Sequence, residues 1–391
     1  MPSDLFCTGY AVSFNAMLTS YLKKLIWIFV LLTGSSLAYL GQVPAAAKPT
    51  PKPTSDDEII KVSSRLVVVP VSITDSTGQA VTGLTAADFR IAEEGRPQTI
   101  ESVGTADIVP LEIVLLFDIS ASTDRMFKFE QETAAKFLQD VMRPVDRAAV
   151  FTIGSKAQII APRDNAERAA AAIRSINPTK DSTAFFDTVS EASDYLRKNA
   201  PEGTRRVVVV ISDGEDTNSS RIAKAIQDGY KKIGERINTI DNRSLYQLTV
   251  AARNDASAQE RLRVLHSLQN ADSVFYSINP AGSSFQLNKI SIFGQENMQN
   301  FARETGGTAF LPKFQQIDTK DEYQNAISVR KNTEVLDRIF HQLASELRSQ
   351  YLIQYYSESD FPLNKFVKLD VGLGKKPELR VRSRQGYYVK N

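Results

Sequence analysis

Cysteine and histidine are nearly missing from this chain of 391 residues, which has one Cys and two His. Cys7 sits ahead of a strongly apolar stretch, so neither a disulfide framework nor a cysteine-based metal site can serve the folded body. His266 and His341 are too few for a zinc cluster, and His266 reads as an ordinary helix-face residue. Any metal held here must therefore be a hard cation bound by oxygen. Charge of one sign is also lacking: 47 basic against 45 acidic residues leave a net charge of +2. No global field points to nucleic acid or to a membrane surface, and a partner has to be argued from a site. The apolar run from Leu25 to Leu32 is broken by Thr33, Gly34, Ser35 and Ser36, too short to span a ~30 Å hydrocarbon core comfortably.

That run follows Lys23 and Lys24 and leads into "TGSSLAYLGQVPAAA", the layout of a secretory signal over residues 1–47, with cleavage after Ala38 or Ala47. Initiation at Met17 would give the signal a conventional length. The expected location is secreted or periplasmic, and an uncleaved N-terminal anchor is the alternative and the one route to a membrane. Residues 48–58, "KPTPKPTSDDE", read as an extended, solvated linker.

What the rest contains is ordinary globular composition, 42% hydrophobic and 24% charged, at a length that suits two or three domains. Residues 59–109 are β-rich, with "SRLVVVPVSITD" as a strand, "DSTGQ" as a turn and "AEEG" as a solvated hairpin tip, and predict a small antiparallel module. Over residues 110–332 apolar strands alternate with amphipathic helices: strands at Leu111–Phe117, Ala148–Ile153, "KAQII", Arg205–Ser212, "SVFYSI" and "TAFL", with helices between them. This predicts an α/β fold with a doubly wound, mostly parallel, Rossmann-like sheet covered on both faces. The polar stretch 233–270 is longer than the usual connection and has helical spacing in "DASAQERLRVLHSLQ", so a helical insertion is expected there. Residues 333–391 predict a helix from Thr333 and alternating strands, which form a second β module or extend the first.

In an open parallel sheet ligands bind at the carboxyl ends of the strands, where the strand order reverses. Asp118 ends the first strand of the α/β region and Asp213, in "VVVVISDGED", ends the fourth; in the order 3-2-1-4 these strands are neighbours. Two buried carboxylates in one crevice repel unless a cation separates them or one takes a proton. Ser120 and Ser122 follow Asp118 at i+2 and i+4 and can face the same point, and Thr183 lies in the loop before the next helix. Hydroxyls and carboxylates are hard ligands, suited to Mg2+ or Mn2+. An Asp-x-Ser-x-Ser run alone is commonly a capped turn. The strand-end Asp213 and the loop Thr183 lift it above that reading.

"DISAS", "DSTAFFDT" and "VVVVISDGED" resemble the three segments of the metal-ion-dependent adhesion site of von Willebrand factor A domains. The likeness covers about Pro110 to Leu311. It implies Ser120, Ser122 and Thr183 as hydroxyl ligands, and Asp118 and Asp213 as ligands binding directly or through water. The flanks "VPVSITDSTGQAVTGLTAADFRIAEEGRPQTI" and "LRSQYLIQYY…LRVRSRQGYYV" are similar to the modules of the bacterial VWFA-related family found chiefly in Acidobacteria. Two features depart from the pattern: Asp181-Ser182 stand where Gly-Gly often precedes the Thr, and the 233–270 stretch is long.

The resemblance implies an exported, non-enzymatic binding module for adhesion or assembly. In it the metal bridges to an Asp or Glu carboxylate of a protein partner. Two alternatives stay open. One is a Mg-dependent hydrolase using Asp118, although phosphatases of that kind carry a second Asp where this chain has Ser120. The other is a non-catalytic envelope scaffold whose β modules make the contacts.

Overall fold

A computed structural model describes residues 64–390 apart from 121–123, 180–181, 281–288, 316, 318 and 319. The export signal, the proline linker, Cys7, Ser122 and Asp181 lie outside the described residues. Among the described residues no helix is long and apolar enough to cross a membrane.

The chain opens with four short strands, β1 (Arg65–Thr74), β2 (Phe89–Glu93), β3 (Arg96–Gln98) and β4 (Ile100–Thr105). The α/β part follows in the order β5 (Leu111–Asp118), α1 (Asp124–Val141), β6 (Arg147–Ile153), β7 (Ala157–Asp164), α2 (Ala166–Arg174), α3 (Phe185–Asn199) and β8 (Arg205–Ile211). It continues through α4 (Ser220–Ile233), α5 (Asn242–Asn270), β9 (Ser273–Ile278), α6 (Lys289–Thr305), β10 (Ala309–Phe310) and α7 (Glu322–Ser349). The last strands are β11 (Tyr351–Ser357), β12 (Phe366–Leu373), β13 (Arg380–Ser383) and β14 (Gly386–Tyr388).

The central sheet has the order β10-β9-β8-β5-β6-β7, parallel except for β7 at one edge. Numbered from its own first strand this is 3-2-1-4-5-6, so β5 and β8 are neighbours and the order reverses between them. "LEIVLLF" forms β5 because a strand covered on both faces has no polar side to maintain. Ile113, Leu115 and Phe117 pack with Phe127, Leu138 and Ile173 on one face. Val114 and Leu116 pack with Phe186, Val189 and Phe301 on the other.

Three features differ from the sequence reading. The final helix starts at Glu322, eleven residues before Thr333, with Asp321 as its N-cap accepting from the Tyr323 and Gln324 N–H groups. Its Leu336, Phe340, Leu343 and Leu347, at i, i+4, i+7 and i+11, are buried in the same core as Phe137, so α7 belongs with the parallel sheet. In the stretch 233–270 lies α5, which is tied to the rest of the fold: Val264 and Leu268 are buried with the sheet, and Ala252 in its N-terminal half lies beside Gly229 of α4. The sixth strand shrinks to Ala309–Phe310.

The two β-rich ends do not stand apart. One sheet has the order β13-β1-β11-β4 and the other β14-β12-β2-β3, so each mixes strands from before and after the α/β part. β1 pairs antiparallel with β11 from Arg65↔Ser357 to Val71↔Tyr351. Val69, Ile73, Ile91, Ile353, Tyr355 and Val367 form the core between them. The α/β part is thus inserted in a β-sandwich between β4 and β11.

The "AEEG" tip needs a correction. Glu94 and Gly95 make the turn with positive φ, but Glu93 is 1% exposed and accepts hydrogen bonds from Tyr355, Tyr387 and Ser357. His266 packs edge-on against Tyr388, as a helix-face histidine does.

Candidate metal centre

The site forms because the β5/β8 register sets Phe117 beside Ile211. The next residues, Asp118 and Ser212, therefore leave the carboxyl end of the sheet side by side. Asp118 Oδ2 accepts from the Ser212 hydroxyl at 2.5 Å, and Oδ1 accepts from the Ser120 hydroxyl at 2.7 Å and the Ser120 N–H at 3.0 Å. The Ser212 oxygen in turn accepts from the Gly214 N–H at 3.0 Å, and Asp213 accepts from the Glu215 N–H at 2.9 Å.

Thr183 reaches the site through its backbone. Its N–H donates to the Thr217 hydroxyl at 2.8 Å, and its carbonyl accepts from the N–H groups of Thr217 and Asn218, each at 2.9 Å. The same loop is tied to the β5 exit, where the Thr179 N–H donates to the Ile119 carbonyl at 2.7 Å. Two helices fix this lacing by capping each other. Asp216, in the loop after β8, accepts from the Phe186 N–H of α3, while Asp187 of α3 accepts from the Ser220 N–H of α4. Orphan N–H groups at both helix starts are satisfied across the loops rather than within them.

Asp118, Ser120, Thr183 and Asp213 therefore occupy adjoining loops at one end of the sheet, and Ser122 lies outside the described residues. Burial pushes the Asp118 carboxyl up, against the Ser212 and Ser120 hydrogen bonds, and the Glu215 charge adds to the rise. Burial likewise carries Asp213 up to about 6, against the Glu215 N–H, with the charges of Asp118 and Glu215 adding. Among the described residues no group of three or more His, Cys, Asp or Glu is arranged to hold a metal. The donor set here is instead mixed, two carboxylates with hydroxyls, and it fits a hard divalent cation: burial and nearby like charges raise both carboxyls, and a cation would relieve both.

Sequence reasoning missed Ser212. The signal for Ser212 was its place as the last residue of "VVVVIS", which parallel pairing sets opposite Asp118. Ser120, where a phosphatase of the Asp-nucleophile kind carries its second Asp, spends its hydroxyl on Asp118.

The sequence profile of the von Willebrand factor type A domain matches residues 113–215, which contain Asp118, Ser120, Ser122, Thr183 and Asp213. Several solved structures are similar to the chain. A von Willebrand factor type A protein from Catenulispora acidiphila is 10% identical, with 83% of this chain and 74% of that one covered at a TM-score of 0.39. Proximal thread matrix protein 1 from the mussel byssus, with a zinc-occupied MIDAS motif, is 13% identical over 66% of this chain and 50% of that one, at 0.38. An aerotolerance-related membrane protein from Bacteroides fragilis is 15% identical over 58% of this chain and 99% of that one, at 0.31. No curated protein matches the sequence.

Proposed function

Because the chain carries a von Willebrand factor A-type domain, we propose that it is an exported, non-enzymatic binding module whose partner contact depends on a divalent metal. The metal is Mg2+ or Mn2+, and the residues that hold it are Asp118, Ser120, Ser122, Thr183 and Asp213. The observation that carries this reading is the pairing of Asp118 with Ser120 and Ser212 beside Asp213, at the switch point of the sheet. A cation held there supplies Lewis acidity for an incoming Asp or Glu carboxylate of a protein partner. Ser212 and the Ser120 N–H orient Asp118, and the mutual caps of α3 and α4 hold the Thr183 and Asp213 loops in register. The near balance of charge gives nucleic acid no footing. Export rests on the N-terminal signal pattern, and the flanking strands follow the VWFA-related pattern of Acidobacteria.

Calorimetric titration of the mature chain with Mg2+ and Mn2+ tests the site. A single saturable transition is expected, together with partner capture from envelope and secreted fractions that EDTA abolishes. Partner capture that persists in EDTA would overturn the metal bridge.

A pH test follows from Asp213. Its folded pKa of about 6 lies above the usual carboxylate value of 3.8, so the native state binds more protons than the unfolded chain between those values. The stability contribution is full below 3.8 and is lost as pH rises through 6. In EDTA, Asp213→Asn is therefore expected to raise stability by about 2 kcal/mol at pH 7. The gain should shrink as pH falls to 5, read by urea denaturation. A gain that does not change with pH would show that burial does not hold the Asp213 carboxyl up.

A further inference from the structure

We infer that helix α6 is the strut that seats the Asp213 loop, and that Gly294 is a positioning residue for the metal. This rests on the metal reading above. One face of α6 presents Ser291, Gly294 and Met298, spaced i, i+3 and i+7, to the loop after β8. The Ser291 hydroxyl donates to the Glu215 carboxylate. Gly294 meets Gly214 backbone to backbone: a Cβ added at 294 would lie 2.6 Å from the Gly214 carbonyl carbon and oxygen and 2.9 Å from the Asp213 oxygen. Gly214 answers from its side with φ +77°, where a Cβ would lie 2.7 Å from the Gly294 oxygen and 2.9 Å from Met298. A glycine inside a helix is unfavourable for the helix itself. At this position the close approach explains it.

What decides which side yields to a methyl group is the other end of α6, about 18 Å away along the axis. There the helix is stopped. A Cβ at Gly306 would lie 2.6 Å from the Ser383 backbone and one at Gly307 2.0 Å from the Phe275 oxygen, while the Gln385 N–H donates to the Glu304 carbonyl. Phe301 and Met298 are buried in the core between α6 and the sheet, so the helix cannot lift away either. The Asp213 loop, held mainly by hydrogen bonds, is the part that moves. The β-sandwich, through β13 and the turn after it, therefore backs the metal centre from behind.

The test uses the full mature chain and three variants: Gly294→Ala, Ser291→Ala and, as control, Gly229→Ala in α4, where an added Cβ finds only ordinary contact with Ala252 at 3.7 Å. Mn2+ affinity by calorimetry, melting temperature in EDTA and amide hydrogen exchange over residues 211–217 are measured for each. Gly294→Ala is expected to weaken Mn2+ at least tenfold and to speed exchange in the loop, with the EDTA melting temperature near that of wild type. Ser291→Ala should weaken Mn2+ about threefold, and Gly229→Ala should leave it within twofold. Unchanged affinity in Gly294→Ala, or a tenfold loss matched by a general drop in melting temperature, overturns the inference. If Gly294→Ala does not fold, Ser291→Ala decides in the same terms. A wild type that takes up no Mn2+ sinks the metal reading and the part of Gly294 in positioning the metal. Loop exchange in Gly294→Ala then still reports whether α6 seats the loop.

Discussion

Asp118→Ala is expected to weaken Mg2+ and Mn2+ binding at least a hundredfold, about 2.7 kcal/mol or more, and to abolish metal-dependent partner capture while the sheet stays folded. The carboxylate stands at the point where Ser120, Ser212 and the Asp213 loop meet, so its loss removes a charge and the anchor of two hydroxyls together. Its effect on stability should be small. The strand is fixed by Leu111 to Phe117, all buried, and Asp118 adds a carboxyl that burial disfavours in its charged form. Loss of that penalty offsets the two hydroxyls left without an acceptor, so metal-free stability should stay within about 1 kcal/mol of wild type. Asp118→Asn separates the parts, since it keeps an acceptor for the Ser120 N–H and lacks the charge; it should lose metal nearly as fully. Calorimetry with chemical denaturation reads both, and metal affinity surviving in either variant would remove Asp118 from the site.

The second large effect lies in the sandwich. Glu93→Ala is expected to cost about 3–5 kcal/mol and to lower the melting temperature by roughly 5–10 °C. Glu93 Oε1 accepts from Tyr355 at 2.9 Å and Tyr387 at 2.5 Å, and Oε2 from Ser357 at 2.8 Å. The donors come from both sheets, and all are buried. Burial pushes both phenols up, with the Tyr387 phenol and the Glu93 charge adding at Tyr355, so each keeps its proton and remains a donor. Removal of the carboxylate leaves three hydroxyls in the core without an acceptor, at about 1–2 kcal/mol each. Glu93→Gln should cost about half as much, because its amide oxygen still accepts. A loss under about 1 kcal/mol for the alanine variant would show that the three donors find other partners.

Legibility in the sequence followed the range of the interactions. β5 could be read because five apolar residues in a row, Ile113 to Phe117, exclude a solvent face. Asp118 and Asp213 could then be brought together because strand alternation implies an order in which their strands are neighbours. The true start of α7 was not read, because the polar turns after Asp321 masked a helix whose buried apolar residues begin only at Leu336. Glu93 could not be read: a charged residue at a hairpin tip is ordinarily solvated, and its donors lie more than 260 positions away. The mutual caps of α3 and α4 were hidden for the same reason. Each joins loops that only the closed sheet makes adjacent.

The insertion of the α/β part between β4 and β11 also orders events in time. β1 is synthesised first among the described strands, yet Arg65 must wait for Ser357, 292 positions later, before its own edge is closed. At ordinary translation speeds that interval is roughly 15–60 s. In it the strands β1 to β4 offer unpaired edges, while the parallel sheet, whose strands all lie between them, can already close. The sandwich is then the last part to form, and a chain cut short after α7 would carry a closed parallel sheet on four strands of which only β2 and β3 are paired, to each other.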